Sequence, residues 1–263
     1  MTSEDRDSTS VAEPDGEGSR SSRTRTKKKH LPVWQETILL LGVALVLAIV
    51  IKALFVQAFY IPSESMEPGL VKNDRILVQK VSYWFGGSPQ RGDVVVFKDP
   101  GDWLSPEESA GPQGGLTGLM AKIGLYPSGG HLVKRVIGVA GDVIKCCDKK
   151  GRISVNGQPL NEDSYVKEKG IDCNGPMIGD CSSDSWTAGP VPKGHIFVMG
   201  DNRGHSADST VHMCTARSTD CVPGDEYVPV DLVVGKVFVL LWPSDHFRWI
   251  HRPSTFADVP NAS

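Results

Sequence analysis

Residues 132–144 read LVKRVIGVAGDVI. This stretch decides what kind of fold the chain adopts. Its valines and isoleucines crowd a short run closed by Gly-Asp, the composition of a strand bounded by a turn. The same texture recurs along the chain, at Arg75 to Val78, Asp93 to Phe97, Leu132 to Val139, Val143 to Lys145, Ile153 to Val155, His195 to Met199 and Val233 to Leu241. Glycines and prolines separate these runs, and apolar residues at helical spacing are scarce after residue 60. The expectation is a mainly β domain with antiparallel strands, folded as a barrel or as packed sheets.

Within that stretch, strand alternation sets Lys134 on the side of Leu132 and Val136, and Arg135 on the side of Val133 and Ile137. One of the two charges therefore faces a partly apolar layer. Periodicity leaves open which one, and leaves open a lysine at an exposed sheet edge.

Upstream the texture changes. Residues 38–56 read ILLLGVALVLAIVIKALFV, interrupted only by Lys52, with Trp34 before and Phe59 and Tyr60 after. Nineteen residues of helix cover roughly 28 Å, close to the ~30 Å core of a bilayer. A cleaved signal peptide would have a shorter apolar region nearer the terminus. A transmembrane helix over residues 34–59 is expected, with Lys52 near enough to its end to reach the headgroups. Residues 1–33 form an acidic and then basic tail with too few large apolar side chains to fold. Arg20, Arg23, Arg25, Lys27, Lys28 and Lys29 precede the span, whereas Lys72, Arg75 and Lys80 are dispersed among acids behind it. The positive-inside rule then makes the N-terminus cytoplasmic and the β domain extracytoplasmic.

Net charge is −3, with no global basic bias of the kind nucleic acid would select. All six cysteines (Cys146, Cys147, Cys173, Cys181, Cys214 and Cys221) follow the span, where disulfides can persist. Fifteen pairings are possible, and the short separations favour Cys173 with Cys181 and Cys214 with Cys221. A metal site from His205, His212, Cys214 and Cys221 matches no common zinc spacing. Residues 146–192 look like a small cysteine-containing insertion, dividing the β domain into 60–145 and 193–250, and 251–263 look like a C-terminal tail. Within 99–130, GLTGLMAKIGLYP is an apolar piece suited either to a helix in the core or to a patch dipping into lipid.

For chemistry, the loop after the span, YIPSESMEPGL (60–70), is stiffened by Pro62 and Pro68 and carries Ser63 and Ser65. A serine hydroxyl needs a base within hydrogen-bond reach. The chain holds no G-x-S-x-G elbow, and His131, His195, His205, His212, His246 and His251 sit in turns or at run ends with no partner pattern. A lysine serves instead if an apolar site disfavours its charged form. The segment MGDNRGHSADS (199–209) supplies small hydroxyl and carboxylate groups that could orient such a lysine, or could simply form a turn.

Taken together and in order, PSESMEPGL, RGDVVVFKDP (91–100), LVKRVIGVAGDVI and MGDNRGHSADS behind an N-terminal span resemble the type I signal peptidases of bacteria, membrane-anchored Ser/Lys endopeptidases. The resemblance implies that Ser65, before Met66, is the nucleophile and Lys134 the general base. It implies that Ser63 and the Ser65 N–H form an oxyanion hole, that Ser206 and Asp208 orient the lysine or support the site, and that Asp201 and Arg203 are structural members. It also implies removal of signal peptides from exported preproteins at the outer face of the plasma membrane. The substrates would carry small residues before the cut, with membrane lipid as the other partner and no cofactor. Gly69 stands where the family often has Thr, and residues 146–192 match no family feature. Two other readings are a self-cleaving Ser/Lys protein related to SOS repressors and a catalytically dead membrane-anchored binding module.

Overall fold

The computed structural model describes residues 32–84, 86–101, 103, 104, 115, 130–167, 185–214 and 221–262. The basic tail, LTGLMAKIGLYP and the Cys173–Cys181 pair fall outside the described residues. The chain divides into two units, Met1–Ala44 and Leu45–Ser263.

An α-helix, α1, runs Val33–Phe55, about 34 Å at 1.5 Å per residue. Its described leucines, valines and isoleucines are exposed on every side. A helix apolar all round with no protein cover is suited to lipid, and its window Val33–Val50 is long and apolar enough to cross a membrane. The helix stops short of the expected residue 59. Val56–Tyr60 is instead a strand, β1, whose residues alternate in burial and pair with Arg75–Gln79, β2. An unbroken apolar run cannot by itself separate the last turn of a helix from the first residues of a strand. The partner strand decides it.

The remaining strands are β3 Val94–Lys98, β4 His131–Val139, β5 Ile144–Cys146, β6 Ser154–Val155, β7 Gln158–Pro159, β8 Trp186–Ala188, β9 His195–Met199, β10 Val228–Pro229, β11 Val233–Trp242 and β12 Arg248–Trp249. The main sheet has the order β1-β2-β11-β3-β4-β9-β10, with β12 on β11, and every pairing is antiparallel. A mainly β domain behind one apolar helix is therefore what the chain forms. Val94 and Val96 of the central strand β3 enter one apolar cluster, and Val95 and Phe97 enter another, so both faces of the sheet are covered.

The described residues of 146–192 are more closely integrated than an insertion. Their strands β6, β7 and β8 join β5 in a four-stranded sheet ordered β7-β6-β5-β8. Ile153, Val155, Leu160, Tyr165, Val166, Trp186 and Ala188 share one core with Ile137 of β4 and with Phe197 and Met199 of β9. Residues 251–262 are likewise no tail, because Phe256 and Val259 are buried in that core. Asn156 Nδ2 donates to the Pro260 carbonyl at 2.9 Å, and an Arg91 N–H donates to the Val259 carbonyl at 3.4 Å. Cys214 is joined to Cys221, as their spacing favoured, which removes both thiolates from any metal site with His205 and His212. Cys146 is joined to its neighbour Cys147.

Candidate active site

The loop after β1 is held closed by its own backbone. Ile61 N–H donates to the Asp74 carbonyl at 2.9 Å, Asn73 N–H to the Ile61 carbonyl at 2.9 Å, and Leu70 N–H to the Met66 carbonyl at 2.8 Å. Ile61, Met66 and Leu70 are buried beside Phe59, Ile76 and Val78. These anchors fix the turn that carries Ser65, which is 6% exposed.

Strand β4 brings Lys134 to it. Lys134 Nζ lies 2.7 Å from Ser65 Oγ, and Ser63 Oγ lies 3.2 Å from the same oxygen. Lys134 pairs in register with Val95, and by alternation it shares a face with Leu132 and Val136. Val95, Leu132 and Val136 belong to one apolar cluster, and the lysine is 4% exposed. Among the described residues the Ser65 N–H donates to no protein acceptor.

Arg135 is as deeply buried, at 5% exposed, yet its surroundings are different in kind. Its Nε and Nη2 donate to the two carboxylate oxygens of Asp201 at 2.8 and 2.6 Å, and Nη1 donates to the Gly92 carbonyl at 2.9 Å. Its guanidinium also lies over the Tyr165 ring, 4.5 Å from the centroid. Burial opposes the charge, but the Asp201 carboxylate outweighs it and holds the arginine more firmly protonated than usual. The choice that periodicity left open is settled by partners. Arg135 is locked in a bidentate pair, and Lys134 meets the serine.

The segment from β9 to Thr210 packs against the back of the serine loop. A Cβ on Gly200 would overlap the Ser65 carbonyl oxygen and the Ser206 side chain, so the two backbones meet this closely only because residue 200 is glycine. Ser206 Oγ donates to Asp208 Oδ2 at 2.6 Å, and the Gly200 N–H donates to the same oxygen at 2.9 Å. The other oxygen, Oδ1, accepts from Thr210 N–H at 3.0 Å and from its hydroxyl at 2.7 Å. Asp208 thus closes the segment onto itself and fixes Ser206. Arg203 is buried. Its Nη2 donates to Glu162 Oε1 at 2.6 Å and its Nε to the Gly200 carbonyl at 2.9 Å.

Ser63, Ser65, Met66, Lys134, Asp201, Arg203, Ser206 and Asp208 are thereby gathered around one turn. Three supporting residues were not visible in the sequence. Glu162 bridges Arg203 and the Tyr165 hydroxyl, which donates to it at 2.6 Å. Burial, followed by the Glu162 charge, pushes the Tyr165 phenol well above its ordinary range, so the phenol stays neutral as a donor. Asn202 donates from its backbone N–H to the Ser65 carbonyl at 3.0 Å and from its side-chain Nδ2 to the Glu64 carbonyl at 3.0 Å. Asn202 stands inside MGDNRGHSADS, where a buried amide looks like any turn residue. Glu162 and Tyr165 come from the stretch that seemed to be an insertion.

The model of one protein family, described as signal peptidase, peptidase S26, matches residues 34–242. The chain belongs to this family. Signal peptidase I of Mycobacterium tuberculosis is 36% identical over 252 residues, covering 90% of this chain and 83% of the relative. A probable signal peptidase I-1 of Synechocystis is 38% identical over 230 residues, covering 86% and 92%. A crystal structure of a signal peptidase I from Enterococcus faecalis covers 56% of this chain and 95% of its own, at 22% identity and a TM-score of 0.28. Membership accounts for the ordered motifs and sets aside the repressor-like and binding-module readings. The buried serine–lysine contact, and all of the apolar helix but Val33, lie within the matched span.

Proposed function

We propose that this chain is a membrane-anchored serine endopeptidase that removes signal peptides from exported preproteins, with Ser65 as nucleophile and a neutral Lys134 as general base. The observation that carries the reading is the 2.7 Å separation of Lys134 Nζ and Ser65 Oγ, with both residues buried. A buried lysine amine within hydrogen-bond reach of the hydroxyl is placed to accept its proton when neutral.

In the first half-reaction the Ser65 proton passes to Lys134 as Oγ bonds to the carbonyl carbon of the scissile peptide. The Ser65 N–H and the Ser63 hydroxyl receive the oxyanion, where one such donor is worth roughly 2.7 to 4 kcal/mol. The C–N bond then breaks, the leaving amine takes the proton from the Lys134 ammonium, and the mature protein departs with a free N-terminus. Water, giving a proton to Lys134, attacks the Ser65 ester. The C–Oγ bond breaks, Ser65 regains its proton, and the signal peptide leaves as a carboxylate. Asp208, Ser206, Asp201 and Arg203 act by holding the serine turn and the lysine strand at this spacing.

Substrates on this reading carry small side chains before the cut and bind in extended form. The anchor lies in the plasma membrane with the N-terminus cytoplasmic and the β domain outside, as the basic stretch before the helix supports. The test is cleavage of a purified preprotein in detergent by wild type, Lys134→Ala and Lys134→Arg across pH. The wild-type rate rises on deprotonation of one basic group, and both folded variants are inactive. Cleavage persisting in Lys134→Ala would assign the base to another residue.

A further inference from the structure

We infer that Asn202 is a positioning residue for the oxyanion donor, its side-chain amide aiming the Ser65 N–H by holding the other end of the same peptide group. The idea depends on Ser65 being the nucleophile, as proposed above. The Glu64–Ser65 bond is trans, the cis bonds among the described residues lying elsewhere. In a trans peptide the C=O and N–H point in opposite directions from one rigid plane. Asn202 Nδ2 donates to the Glu64 carbonyl oxygen at 3.0 Å, so fixing that oxygen also fixes the direction of the Ser65 N–H. The Asn202 main-chain N–H donates to the Ser65 carbonyl at 3.0 Å. Both peptides flanking the Ser65 Cα are therefore tied to one residue.

Two further features favour this role over simple packing. Asn202 is 0% exposed, and its Oδ1 is buried with no hydrogen-bond partner among the described residues. An unpaired buried acceptor lowers stability, so an apolar side chain of similar volume would serve packing better. The amide cannot be turned round to relieve this, since its oxygen would then face the Glu64 carbonyl. A peptide that accepts a hydrogen bond at its oxygen is also a stronger donor at its nitrogen. Asn202 is itself held in place, because the preceding Asp201 is locked to Arg135 and Gly200 abuts the serine turn.

The experiment uses the full-length enzyme in detergent, a preprotein substrate, and a peptide boronic acid ending in alanine as the tetrahedral mimic. Asn202→Leu removes the amide while keeping the branching and the number of heavy atoms, and Asn202→Asp keeps the shape without the donor. For whichever variant stays folded at the assay temperature, kcat falls on the order of 10- to 100-fold, below the loss from deleting an oxyanion donor outright. Boronate affinity falls by the same factor, KM stays within about twofold of wild type, and the pH at which the rate rises does not move because the base is untouched. An unchanged kcat overturns the role, as does a shifted pH profile, which would mean that Asn202 acts through Lys134. Failure of both variants to fold overturns it too, in favour of a structural residue. Failure of the underlying assignment shows separately, as a Ser65→Ala enzyme that cuts as fast as wild type.

Discussion

Asp201→Asn isolates what the buried pair beneath the site contributes. The substitution keeps the shape of residue 201 and removes the charge that Arg135 meets through two hydrogen bonds of 2.8 and 2.6 Å. Arg135 is 5% exposed and Asp201 1%, so water cannot replace the lost partner. The Gly92 carbonyl and the Tyr165 ring remain, but neither carries a charge. Leaving a buried charge unpaired costs about 3 to 5 kcal/mol. For a unit of this size, spanning Leu45–Ser263, each kcal/mol moves the unfolding midpoint by about 2 to 4 °C, so the expected fall is roughly 6 to 20 °C. Thermal unfolding of the detergent-solubilised chain followed by near-UV circular dichroism reads this directly. The double exchange Arg135→Met with Asp201→Leu should recover more than half of the loss, because it removes both charges together. A fall below about 3 °C in Asp201→Asn would refute the reasoning, since Arg135 would then have found another partner or water.

Ser63→Ala should lower kcat by about 10²- to 10³-fold with little change in KM, as expected for a donor that acts only on the transition state, and steady-state cleavage measures it. Gly200→Ala should cost both stability and kcat, because its Cβ overlaps the Ser65 carbonyl and Ser206; an active variant with an unchanged melting midpoint would contradict that close approach. Asp93 offers a test by pH. Burial raises its pKa, but Arg252 and Lys236 outweigh this and hold the carboxyl below its ordinary value. The stability it contributes is therefore present above the ordinary carboxylate range and lost as pH falls through the depressed value, so Asp93→Asn should flatten the acid limb of an unfolding-midpoint profile.

The sequence by itself determined the class of fold, because strand composition and turn spacing are local properties. The valine- and isoleucine-rich runs at 132–139, 195–199 and 233–241 became β4, β9 and most of β11. It also showed the apolar helix, since a long apolar run broken by a single charge needs no partner to be read, and the ordered motifs pointed to the family. What it left undecided depended on partners far along the chain. Lys134 and Arg135 are equivalent under alternation, and only the approach of Ser65 to one and Asp201 to the other distinguishes them. The helix ends at Phe55 because Val56–Tyr60 finds β2 across a turn. Glu162, Tyr165 and Asn202 gained their places beneath the serine turn only when the smaller sheet and the β9 loop were brought against it. Residues 251–262 became core for the same reason, Phe256 and Val259 having no apolar surface to bury against until β4, β6 and β9 had assembled. Local propensity fixes the elements, and long-range burial and charge pairing choose which side chains meet.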